Sequence, residues 1–295
     1  MTTLVNALRR IWSEGRPVER ACYVLSAVLL ADGLFHVAVL LLTGASWSGP
    51  LSLRKAATFG LSFGLTVASV AWAASYLRMP AGVRAGLLGA FAVTSVVEVT
   101  LVSMQAWRGV PSHFNFETPF DTAVSMTLAA GGGVIVLVGV SLMAIAIRGA
   151  RSLPDSMRLA VRTGLAVFLV ALATGAVMIA RGVVEVRAGL PQLAYDTAGS
   201  LKPLHAVAMH AVLALPGLAW LFSLTSWDDR RRLALVRVAV LADLTLTAIV
   251  GVEAFTDIPP LQPPLVLGLL SGTAVLVLVG AAFTGLLAVV AQRPA

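Results

Sequence analysis

Residues 21–43 decide the fold, and they read ACYVLSAVLLADGLFHVAVLLLT. This run of 23 residues contains a single acid, Asp32, and a single histidine, His36. A helix of about 20 apolar residues is long enough to cross the hydrocarbon core of a bilayer. A soluble helix of this length would carry a polar face, which this run lacks. The stretch therefore predicts a membrane-spanning helix.

Seven further apolar runs of similar length follow, each bounded by arginine, proline, glycine or a polar cluster. Each is predicted to be helical, because an unpaired backbone is too costly in lipid. The alternation typical of a membrane barrel is absent from the sequence. We predict an all-α integral membrane protein, with one transmembrane domain over 1–295 and an eight-helix bundle. The predicted spans are 21–43, 56–78, 84–106, 122–147, 158–181, 203–224, 234–255 and 265–290.

The composition agrees with a lipid environment. Hydrophobic residues make up 58% of the 295 residues and charged residues only 12%, with a mean hydropathy of +0.92. Soluble chains carry about 25% charged residues. The net charge of +7 would raise the question of nucleic acid in a soluble protein. Here the basic residues lie in short connections, so the expected partner is the lipid bilayer and not a nucleic acid.

The distribution of lysine and arginine predicts the orientation. The two termini and every second connection hold 15 of the 21 basic residues, and these connections are expected to be solvated anchors. Basic residues mark the cytoplasmic side, so we predict a multi-pass protein of the cell (plasma) membrane with both termini in the cytoplasm. The first apolar run is too long for a signal peptide and is interpreted as a retained span. The single cysteine, Cys22, permits no internal disulfide.

Polar residues concentrate in the outer half of the predicted bundle. A charge in hydrocarbon is costly, so such residues face the bundle interior and usually mark function. The alternative is a structural ion pair, for example Glu98 with Arg181 or with Lys55. This half holds all four histidines and nine of the fourteen acids, namely His36, His113, His205, His210, Asp32, Glu98, Glu117, Asp121, Glu185, Asp196, Asp243, Glu253 and Asp257.

The segment 105–121, QAWRGVPSHFNFETPFD, is the most specific feature of the sequence. It is too polar to span a membrane and too aromatic for a plain linker, and Pro111 and Pro119 interrupt a helix. We predict a re-entrant or lid segment that lines a protein cavity at the outer mouth of the bundle. Nearby, the run Gly131–Gly133 lets another helix or a ligand approach closely, or only allows tight helix packing.

These residues suggest an enzyme acting on a lipophilic small molecule. A carboxylic acid in an apolar pocket stays protonated and can serve as a general acid. Aromatic rings stabilise the carbocation that protonation of an alkene produces. The candidate catalytic acids are Glu98, Asp121 and Asp32. The candidate substrate-binding or positioning residues are Lys55, Gln105, Trp107, Arg108, His113, Phe114, Asn115, Phe120, Arg181, His210 and Glu253. No cofactor and no metal are expected.

Two other function classes remain open. Asp32, His36, Glu98 and Asp243 would suit a proton-coupled transporter or channel, although no inverted repeat supports a transporter fold. A haem- or quinone-binding protein is the third class, since His36 and His210 lie at similar predicted depth. The sequence leaves the oligomeric state open.

Two segments carry a resemblance to known proteins. Residues 47–64, WSGPLSLRKAATFGLSFG, and the segment 105–121 resemble an uncharacterised family of actinobacterial-type polytopic membrane proteins. The chain is also similar, more distantly, to the membrane-bound terpene cyclases of bacterial indole-sesquiterpenoid pathways. That resemblance implies proton-initiated, metal-independent cyclisation of a prenylated substrate. No catalytic motif of those enzymes matches residue by residue, so no role is carried over from them.

Overall fold

The computed structural model describes residues 2–47, 49, 51–150, 152–190, 194, 199–259 and 262–292. Asp196, one of the acids of the outer half, lies outside these residues. Within them the chain forms nine α-helices and no strand, which confirms the all-α prediction. The helices are α1 (Thr2–Ser13), α2 (Pro17–Thr43), α3 (Arg54–Ser75), α4 (Ala81–Trp107), α5 (Pro119–Gly149), α6 (Asp155–Arg187), α7 (Lys202–Ser223), α8 (Asp229–Phe255) and α9 (Leu265–Val290).

Helices α2 to α9 are each long and apolar enough to cross a membrane, which confirms the eight predicted spans. The helices of the structure begin or end at different residues from the predicted spans where a helix-start signal lies outside the apolar run. Helix α2 begins at Pro17, in the first helical position, where its fixed φ suits a helix. The backbone N–H of Arg16 donates to Glu19 at 2.9 Å and closes a capping interaction there.

Helix α1 was not predicted. Its large apolar residues Val5, Leu8 and Trp12 are exposed. Arg9 and Arg10 add positive charge within the same short helix. This composition is typical of an amphipathic helix that lies along a membrane surface.

The tightest helix pair is α2 with α3. The Gly33 and Gly60 backbones meet so closely that a Cβ added at Gly60 would lie 2.5 Å from the Gly33 nitrogen. One turn further, Ser26 Oγ donates to the carbonyl oxygen of Gly64 at 2.6 Å. Glycines four residues apart, here Gly60 and Gly64, let helices approach at backbone distance in membranes. The two helices therefore form one packed unit.

Consecutive spanning helices run in opposite directions, so their connections gather at two ends. We call the end with connections 14–16, 76–80, 150–154 and 224–228 the basic end. The other end carries connections 44–53, 108–118, 188–201 and 256–264 and is called the polar end. The candidate site residues of the segment 105–121 all lie at the polar end.

A buried ion pair lies near the basic end. Arg84 Nη1 is 3.1 Å from Glu19 Oε1, and both side chains are almost fully buried. The same guanidinium donates to the carbonyl oxygens of Ala74 at 2.6 Å and Leu77 at 2.7 Å. The expectation that charges on this side are solvated anchors is wrong for these two residues. Their hydrogen bonds hold α2, α3 and α4 together.

Candidate functional site

The connection between α4 and α5 is residues 108–118, so the predicted segment 105–121 is helical at both ends. Helix α4 ends on a glycine in the left-handed conformation, Gly109 at φ 67°. The Val110 N–H donates back to the Gln105 carbonyl oxygen at 3.1 Å, the bond of a Schellman cap. Helix α5 begins with Thr118 as N-cap and Pro119 next, because Thr118 Oγ1 accepts from the Asp121 N–H at 3.1 Å. Whether the connection re-enters a membrane stays a prediction.

Asp121 ties the two helix ends together. Its Oδ1 accepts from Gln105 Nε2 at 2.8 Å and from Arg108 Nη1 at 2.7 Å. Its Oδ2 accepts from Thr118 Oγ1 at 2.6 Å. Arg108 also donates to Gln105 Oε1 and lies 4.8 Å above the ring of Phe120. A buried carboxylate with three donors is well satisfied as the ion, which makes Asp121 a structural tie and a poor proton donor.

The middle of the connection is seated against α5 and α6. The Asn115 N–H donates to Ser125 Oγ at 3.1 Å, and Ser125 Oγ donates to the Asn115 carbonyl oxygen at 3.0 Å. Phe114 has φ 61°, uncommon for a non-glycine residue, and its ring rests on the backbone at Gly182, where no side chain would fit. Asn115 Nδ2 is buried and has no partner among the described residues.

Lys55 and His113 meet at the polar end. Lys55 Nζ lies 3.3 Å from His113 Nδ1, and Ser112 Oγ lies 3.1 Å from the same nitrogen. An ammonium group only donates, so Nδ1 is the acceptor and the imidazole is neutral. Burial, with the charge of Lys55, holds the pKa of His113 well below its usual range. His113 therefore fixes the lysine without adding charge.

A row of rings runs inward from this pair. The ring centroids of His113 and Phe114 are 6.1 Å apart, those of Phe59 and His113 are 5.8 Å apart, and those of Phe59 and Phe63 are 5.6 Å apart. Phe59 also packs against the apolar cluster of Val102, Val124 and Leu128. The row therefore lies along the junction of α3, α4 and α5. We call Phe63, Phe59, His113 and Phe114 the aromatic row.

Glu98 is a buried acid one turn along α4 from Val102, which belongs to the apolar cluster that contacts Phe59. Its side chain is buried and makes no hydrogen bond or ion pair to any residue that the structure describes. Lys55 is near enough to interact with it electrostatically, while Arg181 is exposed and lies 6.0 Å from the Phe255 ring. Of the two alternative ion partners, only Lys55 is therefore placed to influence Glu98.

Gly131 provides the space for the Glu98 carboxyl. A Cβ added at Gly131 would lie 2.6 Å from Glu98 Oε1, whereas one added at Gly132 or Gly133 would meet nothing within 4 Å. The close approach predicted for this glycine run is thus made at one position. The group that approaches is an acid side chain from α4.

Asp32 and His36 form a separate cluster with Trp107. Trp107 Nε1 donates to His36 Nε2 at 3.0 Å, and His36 Nδ1 lies 2.9 Å from the Asp32 carbonyl oxygen. Indole only donates, so Nδ1 carries the imidazole proton and His36 is neutral. Asp32 Oδ2 is 3.5 Å from Nδ1 but makes no hydrogen bond within the described part of the chain. Trp107, predicted to position a substrate, is bonded to His36 of α2, and its positioning role stays a prediction.

A groove of about 640 Å³ lies between α7, α8 and α9. Its lining is mostly apolar and includes Val207, Leu246, Val250, Val275 and Leu276. Glu253 is the one acid of that lining. Its side chain is buried and its Oε1 has no partner among residues with a described position. The groove is open on one side, because Val275 and Leu276 of its lining are exposed.

The remaining polar candidates lie apart from the polar-end cluster. His210 is exposed on α7, where Nδ1 lies 2.6 Å from the Ala206 carbonyl oxygen. Both ring nitrogens of His36 already have partners, so a haem held by these two histidines would have to break the bond from Trp107. In the described ranges no three His, Cys, Asp or Glu side chains lie close enough to hold a metal ion.

No protein-family model, curated protein or solved structure matches this chain. The resemblance carried by residues 47–64 and 105–121 therefore stays a prediction.

Several supporting residues were missed at the level of sequence. Thr118 had a local signal, because Thr-Pro followed by an acid at the third helical position is an N-cap pattern. Ser125 and Gly182 had none, since their roles arise only when residues 114–115 fold back onto α5 and α6. Residue type and spacing do not encode such long-range contacts.

Proposed function

We propose that this protein is an integral membrane enzyme that protonates an alkene in a lipophilic, prenylated substrate, with Glu98 as the proton donor. The observation that carries this proposal is a buried carboxyl without a hydrogen bond to the described residues, one helical turn from Val102 of the cluster that contacts Phe59. A buried carboxyl without partners favours the neutral acid. An acid of this kind is the group that proton-initiated chemistry requires.

The proposed step balances without a cofactor. The O–H bond of Glu98 breaks, and its proton forms a C–H bond at one alkene carbon using the π electrons of that alkene. The neighbouring carbon becomes a cation and Glu98 becomes a carboxylate. A second alkene in the same molecule then closes a ring, and loss of a proton to Glu98 restores the acid. The product is an isomer of the substrate, as expected for a terpenoid cyclisation.

The neighbouring groups have distinct proposed roles. The ammonium group of Lys55 stabilises the transient Glu98 carboxylate, and neutral His113 holds that ammonium group in place. The faces of Phe59 and Phe63 stabilise the carbocation through cation–π attraction. Asp121 positions the connection 108–118 and does not donate a proton.

The proposed setting is the plasma membrane with the basic end in the cytoplasm, because basic residues favour that side. Both termini would then be cytoplasmic. The site would lie towards the outer leaflet, and a lipophilic substrate would reach it through the bilayer.

The test compares three isosteric variants of the purified protein with a farnesylated substrate, with products separated by chromatography. Glu98→Gln is expected to lower turnover by about 10²- to 10⁴-fold, the usual contribution of a general acid, with unchanged thermal unfolding. Asp121→Asn and Glu253→Gln are the matched controls and should retain turnover in proportion to folded protein. Unchanged turnover in Glu98→Gln would overturn the proposal, and loss in Glu253→Gln alone would move the chemistry to the groove.

Proton-coupled transport is the second candidate. It is favoured by buried carboxyl oxygens on two helices outside the site, those of Asp32 and Asp243, which make no hydrogen bond to a described residue. Proteoliposomes loaded with a pH-sensitive dye would then conduct protons, and Asp243→Asn would reduce that flux. Flux that depends on Asp243, together with no turnover of any prenylated substrate, would replace the enzyme proposal.

A further inference from the structure

A charged cleft lies between α6 and α8 at the basic end, far along the bundle from the polar-end site. Its volume is about 240 Å³ and it is lined by Asp155, Arg158, Leu159, Arg162, Leu233 and Arg237. Three guanidinium groups thus face one carboxylate. The space corresponds to roughly eight water molecules at about 30 Å³ each, which suits a small anionic head group and not a whole lipid.

The guanidinium groups are held in different ways. Arg162 donates from Nε to the Ala146 carbonyl oxygen at 3.1 Å and from Nη2 to that of Ile147 at 2.6 Å, which fixes it against the end of α5. Arg158 Nη2 is 2.5 Å from Asp155 Oδ1. Arg237 is exposed and makes no hydrogen bond or ion pair to a described residue. The cleft therefore combines pre-positioned cations with one whose donors are unused.

The depth of the cleft follows from the sequence of its two helices. Arg162 is followed by 18 residues without a charge, 163–180, and Arg237 is followed by 18 residues, 238–255, with only two acids. Eighteen helical residues rise about 27 Å, close to the roughly 30 Å of a hydrocarbon core. Arg162 and Arg237 therefore lie where the hydrocarbon meets the lipid head groups.

We propose that this cleft binds the phosphate group of an anionic bilayer lipid in the leaflet at the basic end. The planar fork of an arginine matches two phosphate oxygens at once. Leu159 and Leu233 of the lining provide apolar contact for the first methylene groups of the lipid chains. Basic pockets between membrane helices recognise anionic head groups in this way. The proposal does not rest on the enzyme function of Glu98.

The test measures lipid binding to the full-length protein in neutral detergent by native mass spectrometry. Phosphatidylglycerol is expected to bind more tightly than phosphatidylcholine with the same chains. Arg237→Gln should weaken phosphatidylglycerol binding by about tenfold, while Arg237→Lys, which keeps the charge without the fork, should fall between. Arg230→Gln is the matched control, because it removes one exposed arginine of α8 outside the cleft.

Three results would overturn the proposal. Equal losses in Arg230→Gln and Arg237→Gln would mean diffuse attraction to the basic end. Equal binding of phosphatidylcholine and phosphatidylglycerol would mean that the cleft does not recognise the net charge of the lipid. Binding of inorganic phosphate alone that depends on Arg237, with no binding of phosphatidylglycerol, would assign the cleft to a soluble anion.

Discussion

Glu19 near the basic end and Glu98 towards the polar end are equally hidden glutamates in opposite surroundings. Their exposed fractions are 1% and 4%. Glu19 accepts from the Arg16 backbone and from the guanidinium groups of Arg16 and Arg84. Glu98 makes no hydrogen bond to a described residue and rests over Gly131. Burial alone therefore does not distinguish a structural acid from a candidate proton donor. The number of hydrogen-bond donors around the carboxylate does distinguish them.

Asp121 extends the comparison to the polar end itself. It shares the segment 105–121 with the candidate site, yet its three donors give it the character of Glu19. Asp121 thus has the surroundings of a structural tie, whereas Glu98 has those of the proton donor that we propose. Experiments on the two kinds of acid should give opposite results for stability and turnover.

The largest effect on stability is expected for Arg84→Met. The change removes one of the two guanidinium groups bonded to the buried Glu19, and with it the donors to the carbonyl oxygens of Ala74 and Leu77, which should cost about 3–5 kcal/mol in the free energy of unfolding. Arg78→Met is the control, because Arg78 is exposed in the neighbouring connection. Unfolding in detergent, followed by circular dichroism, gives both values. A loss similar to that of the control would mean that the Glu19–Arg84 pair is not a structural tie.

A smaller effect is expected within the glycine run. Alanine in place of glycine stabilises a helix by about 1 kcal/mol, so Gly132→Ala should gain stability. Gly131→Ala should not be stabilised in this way, because its Cβ would collide with Glu98 Oε1 and Thr94 Cγ2. Displacing the acid by about 1 Å should also lower turnover by up to about 100-fold. Equal stability and turnover in both variants would remove Gly131 from the site.

A pH-dependent effect is expected from His113. The depressed pKa of the folded imidazole means that only the unfolded chain binds a proton as pH falls below about 6.5. The contribution of His113 to the free energy of unfolding is therefore fully present above that pH. It declines below that pH by up to about 1.4 kcal/mol per pH unit. Thermal unfolding measured from pH 7.5 to 5 should show a smaller decline in stability for His113→Gln. The control is His210→Gln, at an exposed histidine, which should show the same decline as the unmodified protein. A decline that persists unchanged in His113→Gln would contradict the assignment.

The spans were predictable because the length of an apolar run is a local property. Helix α1 was missed because its 12 residues are too short to span and its arginines were attributed to the flank of the first span. Within the site, Gln105, Arg108 and Asp121 meet because helix caps at both ends of the connection 108–118 bring α4 and α5 together. Such caps are partly visible in sequence.

The inward face of a helix was harder to predict. Arg181 and His210 were expected near the site and are exposed, whereas Glu19 and Arg84 were expected in solvent and are buried. The direction in which a side chain points depends on the helices that pack around it. A single sequence without local polar periodicity carries little of that information, and these spans are apolar on most faces.

The tied connection 108–118 has a kinetic consequence. Asp121 fixes it at its ends and Ser125 fixes it in the middle. The lipophilic substrate that we propose would then enter sideways between helices and be delivered by two-dimensional diffusion. The rate of the proposed reaction should then follow surface-dilution behaviour. It should fall as inert detergent lowers the mole fraction of substrate in each micelle, even when the bulk concentration of substrate is constant.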